Sequence, residues 1–268
     1  MRHKVSYPFY WCKGYDIYVF VIRKQLTPGG KMNLITTTLA IIAISFTFQA
    51  KAAEDNIPIK VSTSFGKIYV PAGFDNNDNV QIVGEGMFPN TCYRYAKTSV
   101  QVDHAAKTIR LDTVAYKYPG VCLQVIVPFD RVVDLGILKE GEYSIITNND
   151  NQNVGRVSIN ESKSREPDDF MYASVSQAYF QSKASVNKVF LSGNFPSSCM
   201  KLKEVKSEVQ SEVLIIQPIA EIDPSVPCVE GQFHFETSVV VGSMKPGRYL
   251  LHVRTMNGKS VNNLIDVR

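Results

Sequence analysis

Gly86-Met87-Phe88-Pro89-Asn90-Thr91-Cys92 and Gly193-Asn194-Phe195-Pro196-Ser197-Ser198-Cys199 are two copies of one motif, set 107 residues apart. Each motif ends on a cysteine, and each is followed by a second cysteine, Cys122 and Cys228. From there the register holds without a gap: Phe129 falls on Phe235, Val133 on Val239, Gly136 on Gly242 and Lys139 on Lys245. Gly141-Glu142-Tyr143 then falls on Gly247-Arg248-Tyr249. A frame that agrees in this way is an internal repeat. Units of about 100 residues are large enough for their own cores, so they read as tandem domains and not as a solenoid.

Within each copy the pattern is that of strands. Leu123, Val125 and Val127 alternate before Pro128, as Val229, Gly231 and Phe233 do more weakly in the second copy. The runs 143–147 and 249–253 are rich in β-formers and follow glycine turns. Asn257-Gly258 between two such runs is a type I′ hairpin signal. Further strands are expected at 80–84, 108–114, 185–192 and 212–217. One stretch, 203–211, reads as a helix, with Val205 and Val209 four apart. The charged, Pro-containing segment 160–169 (NESKSREPDD) reads as a linker. The expected fold is all-β: two tandem antiparallel sandwiches.

The Gly-x-Phe-Pro-x-x-Cys entry and the Gly-x-x-x-x-Gly-x-Tyr exit resemble those of bacterial secreted proteins with immunoglobulin-like sandwich repeats. The exits here are Gly136…Gly141-Glu142-Tyr143 and Gly242…Gly247-Arg248-Tyr249. The Gly-x-Tyr exit is similar to the corner at which a tyrosine hydroxyl ties a late strand to the backbone. Antibody-type domains also carry a Cys two residues after that Tyr and a core Trp; this chain has neither. The resemblance therefore implies architecture and no activity.

Met32 opens a second recognisable unit: Lys31, an apolar stretch at 34–48, then Ala50 and Ala52 in the A-x-A spacing of a signal peptidase site. Residues 32–52 thus read as a signal peptide, and residues 1–31 either as a long n-region or, the reading preferred, as an upstream extension from a misassigned start. The fifteen apolar residues, broken by Thr and Ser, fall short of the roughly 20 needed to span a bilayer. The domains expected are 53–159 and 170–268, joined by 160–169. The location expected is periplasmic or extracellular.

Removing residues 1–52 changes the charge. The whole chain carries 29 Lys/Arg and 25 Asp/Glu; without the seven bases and one acid of the leader it keeps 22 and 24, a net of −2. Nothing in that balance calls for nucleic acid. Cys12 leaves with the leader, so four cysteines remain. Four allow three pairings. Spacings of 30 and 29 residues select Cys92–Cys122 and Cys199–Cys228, a use of cysteine suited to an oxidising compartment. Metal binding by these cysteines would need a CxxC or a nearby His, and neither is present.

Catalytic signals are sparse. The mature chain has three histidines, His104, His234 and His252, and no Gly-x-Ser-x-Gly elbow. His234 lies between Phe233 and Phe235 and is expected on a solvent-facing strand position, where His252 could approach it. Asp75 and Asp78 in FDNNDN, and the Asn/Asp run 148–151, lack the spacing of a calcium loop and read as turns. Tyr93 and Tyr95 align with Met200 and Leu202 and are expected to pack on the core. Tyr116, Lys117 and Tyr118 differ between the copies. They are placed on a loop before Cys122 (AYKYPGVC against EIDPSVPC) and form the candidate partner-contact site. The function expected is that of an exported, non-catalytic binding or structural module. It would use no cofactor and no metal, have no membrane span in the mature chain, and contact a protein or polysaccharide of the cell envelope. The competing readings are a secreted protease inhibitor presenting residues 115–121, and a hydrolase whose site is not recognised.

Overall fold

The computed structural model describes residues 57–147, 153–165, 168–183 and 186–268. The expected signal peptide at 32–52, the residues before it and the Asn/Asp run 148–151 lie outside the described residues. Among the described residues all regular structure is strand, sixteen in number.

The first copy holds β1 (Ile59–Thr63), β2 (Lys67–Tyr69), β3 (Phe74–Asp75), β4 (Val80–Phe88), β5 (Tyr93–Asp103), β6 (Thr108–Lys117), β7 (Val127–Gly136), β8 (Gly141–Thr147) and β9 (Asn153–Asn160). The second holds β10 (Val175–Lys183), β11 (Val186–Ser197), β12 (Met200–Gln210), β13 (Val213–Ile222), β14 (Glu230–Val241), β15 (Gly247–Thr255) and β16 (Lys259–Val267). In each copy two sheets face each other: β2-β4-β7 against the sheet holding β5, β6, β8 and β9, and β10-β11-β14 against β12-β13-β15-β16. The chain is thus two tandem immunoglobulin-like β-sandwiches, each closed by its own disulfide, Cys92–Cys122 and Cys199–Cys228. Pairing is antiparallel except for β6 with β8, β13 with β15 and the short β3 with β9.

The repeated residues do the same work twice. Phe88 stacks on Phe129 at 4.2 Å between ring centroids, and Phe195 on Phe235 at 4.5 Å. Thr91 and Ser198 clamp the chain after the disulfide: Leu123 N–H donates to Thr91 Oγ1 and Val229 N–H to Ser198 Oγ, each at 3.0 Å. Gly86 and Gly193 permit close approach. A Cβ on Gly86 would lie 2.5 Å from the Phe129 ring, and one on Gly193 would lie 2.0 Å from the Ser174 carbonyl oxygen. The Asn257-Gly258 hairpin has both residues at positive φ, 64° and 63°, as a type I′ turn requires. Tyr143 is fully buried, but its hydroxyl meets the His104 side chain at 2.8 Å and not a backbone group, unlike the tyrosine corner.

Two expectations, one helix and one strand, are corrected. Residues 203–211 are not helical; they belong mostly to β12, with a bulge between Leu202 and Glu204. Val205 and Val209 stand four apart, a spacing that the two-residue period of a strand also puts on one face, so it does not single out a helix. Leu123 and Val125 do not lie on a strand face either. The strand begins at Val127, carries Pro128 in β7 at the sheet edge, and leaves 121–126 as an exposed loop.

The second copy's sheet is buried on both faces. Val213–Ile216 and Leu250–Val253 are buried without alternation, because one face meets their own sandwich and the other meets Tyr69 and Val83 of the first copy. The described part of the 160–169 segment is tied down as well: Ser162 N–H donates to Asn76 Oδ1, and Asn77 Nδ2 donates to the Ser164 carbonyl.

Candidate functional site

Tyr116, Lys117 and Tyr118 do not sit together on a loop. Tyr116 and Lys117 end β6, and only Tyr118 lies beyond it. Residues 115–121 therefore do not project as a unit, since their first three belong to the sheet. In the register of this sheet Tyr116 stands between Lys60 of β1 and Arg94 of β5, and Lys117 between Ile59 and Tyr93. The Lys117 ammonium lies 5.8 Å from the centre of the Tyr93 ring. Tyr93 and Tyr95 are half-buried against the first core, as expected. Beyond Tyr118 the disulfide and the Thr91 clamp hold the loop to the end of the sandwich.

The second copy shows what is special here. Tyr118 N–H donates to the Cys92 carbonyl at 2.9 Å, and Asp223 N–H donates to the Cys199 carbonyl at 2.7 Å, which makes these two positions equivalent. Glu221 pairs with Lys201 as Tyr116 does with Arg94. There Lys201 meets Glu221 at 3.4 Å and Asp223 at 3.0 Å. Hydrogen bonds from Ser225 and from Lys201 hold the Asp223 carboxyl down at about 2. The second copy thus fills this position with a closed set of ion pairs. The first copy fills it with two tyrosines among cations.

The histidines are not brought together. His234 is exposed on β14, 3.3 Å from Glu236. His252 on β15 is buried between the copies, in the other sheet of its sandwich. His104 sits in the exposed turn between β5 and β6, facing Tyr143. Asp75 and Asp78 make the expected turn, with Asp75 N–H donating to Asp78 Oδ2 at 3.0 Å.

Sequence reading missed a polar node between the copies. Arg254 Nη1 donates to Asp78 Oδ2 at 3.2 Å, Nη2 donates to the Gly73 carbonyl, and the guanidinium lies 5.1 Å from the centre of the Phe74 ring. Beside it, burial and the neighbouring Asp78 carboxylate push the Asp168 carboxyl up to about 6. The space enclosed by Phe74, Asp78, Asp168, His252 and Arg254 is about 10 Å³, room for one water molecule at most. This node therefore joins the copies and offers no ligand pocket. The signal for it was the unalternating pair VLII (213–216) and LLHV (250–253), which one buried face does not require.

Among the described residues no group of three or more His, Cys, Asp or Glu is placed to hold a metal ion. Nor is any helix there long and apolar enough to cross a membrane.

Residues 82–159, from β4 to β9, match the family model described as the ORF11 beta-sandwich domain. No curated protein and no solved structure matches the chain. The match covers the frame marked out by the repeat in the first copy, and it agrees with the sandwich found there.

Proposed function

We propose that this is an exported, non-catalytic binding module, working in an oxidising compartment of the cell envelope. Its contact surface is the disulfide end of the first sandwich. The observation that carries the reading is the difference between copies at one structural position: Tyr116 and Tyr118 among cations in the first, ion-paired Glu221 and Asp223 in the second. Positions such as Phe88/Phe195 and Phe129/Phe235, which stack in both sandwiches, recur in both copies; a surface used for recognition needs only one. Two disulfides suit export, and the separated histidines suit a role without catalysis. The partner classes are an envelope protein and an envelope surface or polysaccharide.

The test immobilises the chain from Ala53 and the Tyr116→Ala/Tyr118→Ala variant against solubilised envelope components and purified envelope polysaccharide. Retention by the parent chain, lost by about tenfold or more in the variant, is the expected result, since truncated aromatic anchors cost about 2 kcal/mol or more. Equal retention by both chains overturns the assigned surface. Turnover of a hydrolase substrate that disappears on changing His104, His234 or His252 overturns the non-catalytic reading.

A further inference from the structure

We propose that the Cys92–Cys122 tip of the first sandwich docks on an anionic lipid surface. The inference rests on the binding-module reading and names what that surface meets.

The tip is apolar where it projects. Val121 is fully exposed, and Leu123, Val125 and Ile126 are 68%, 53% and 68% exposed. Ile59 and Met87 flank them, 61% and 67% exposed. These side chains are held outward by built structure: the disulfide, the Thr91 clamp and the pairing of β1 with β6 fix the backbone that carries them. An ordered loop that keeps aliphatic side chains in water has a use for them, because each would otherwise gain by burial.

Among the described residues, the stretches nearest the tip carry basic charge and no acid; the acids next to them in the sequence are Glu54 and Asp55 before Ile57, and Glu85, Asp112 and Asp130 along the strands. Residues 57–74, 86–102 and 113–129 contain no Asp or Glu, yet they supply Lys60, Arg94, Lys97 and Lys117 to this end. None of these four cations makes an ion pair among the described residues, whereas the counterpart of Arg94, Lys201, makes two. Four cations without an ion pair among the described residues thus stand near an apolar point, against the two acids Glu54 and Asp55 that precede it in the chain. Aliphatic side chains that enter the acyl boundary, cations level with headgroup phosphates, and tyrosines between them are the three components of an interfacial anchor. An anionic bilayer offers each of the three a counterpart: acyl chains for the aliphatic side chains, phosphates for the cations and the headgroup region for the tyrosines.

The experiment is co-sedimentation of the chain from Ala53, which keeps every residue of the described unit, and of the full chain. The vesicles are phosphatidylcholine alone and phosphatidylcholine mixed with phosphatidylglycerol. The chain from Ala53 is expected to sediment with the mixed vesicles and not with phosphatidylcholine alone, and to be released by salt. Each basic residue near such a surface is worth about fivefold in partitioning, so Lys60→Gln/Lys117→Gln should weaken binding by more than tenfold. Val121→Asp/Ile126→Asp should weaken it at least as much, with an unchanged melting temperature.

Failure of the chain from Ala53 to sediment overturns the proposal, even if the full chain sediments through its own apolar segment. Equal binding to both vesicle types, or binding indifferent to both variants, also overturns it. So does self-association of the parent chain that Val121→Asp/Ile126→Asp disperses, which would make a second copy the occupant. Retention of an envelope protein or polysaccharide without vesicle binding sinks the lipid surface and leaves the binding module standing.

Discussion

A glycine and two titrating side chains show what single residues contribute. Gly193 is repeated from Gly86 because both backbones are closely approached, but the approaching groups differ. The Phe129 ring can tilt away from a methyl on Gly86, whereas the Ser174 carbonyl is main chain and cannot. Gly193→Ala is therefore expected to lower stability in urea by about 1–3 kcal/mol or more, and Gly86→Ala by less. His252 is held down at about 4, chiefly by burial, against the opposing effect of its bond to Asn262. An unfolded histidine takes up its proton near 6.5, so between about 6.5 and about 4 the unfolded chain binds more protons and stability falls as pH falls. Asp168 acts with the opposite sign. Held up at about 6 by burial and Asp78, it stays protonated where an unfolded aspartate has ionised, so stability rises as pH falls from about 6 towards about 4. The two effects oppose each other in the wild type. Urea midpoints between about pH 4.5 and 7.5 should show a steeper acid loss in Asp168→Asn and a shallower one in His252→Gln. Unchanged profiles would mean that neither group titrates as placed.

At the scale of elements, what the sequence made legible was whatever the repeat duplicates. The Asn257-Gly258 hairpin, the Phe88/Phe195 stacks and both disulfides follow from residue identity at matched positions, since the same backbone geometry imposes the same residues twice. Strand β12 was not legible, because Val205 and Val209, four apart, share a face in a strand as well as in a helix. The loop 121–126 was misread for a related reason. Alternating aliphatic residues signal a strand only when one face is covered, and here nothing in the sandwich covers them. The acid-free stretches beside that loop were visible in the sequence, but they became a site only when the fold brought 57–60, 94–97 and 117–126 to one end. Two predictions belong to this element. Tyr116→Ala/Tyr118→Ala should lower stability by no more than about 1 kcal/mol, since Tyr118 is exposed and Tyr116, half-buried in β6, gives up mainly strand propensity; a much larger drop would show packing tyrosines instead. Cys92→Ala/Cys122→Ala should cost about 3–4 kcal/mol, the loop-closure value for some 30 residues, read from denaturant midpoints. A loss much below that would mean that the Thr91 clamp alone closes the loop.

For the molecule as a whole the question is whether the repeat units stand alone. The proposed units 53–159 and 170–268 are bounded by sequence, yet the contacts between them are those of a packed core. Tyr69 and Val83 lie against Val213, Ile215 and Leu250, and Glu85 meets Arg248 at 2.8 Å at the margin. The sharpest test is the buried pair, since Asp78 and Arg254 come from different copies and their side chains are only 4% and 10% exposed. Taking one charge from such a pair leaves the other desolvated and unpaired, which costs about 3–5 kcal/mol, whereas neutralising both costs much less. Arg254→Met should therefore destabilise strongly. Asp78→Asn added to it should recover a good part of the loss, because Asn still accepts the Asp75 N–H and carries no charge. The coupling energy from the four chains, measured in urea, should be well above the few tenths of a kcal/mol seen between independent sites. Because that energy crosses between the copies, the parent chain should melt in one calorimetric transition, and Arg254→Met should lower that single transition without splitting it. Additive losses, or two transitions in the parent chain, would show that the sandwiches fold separately and that the node between them is incidental to stability.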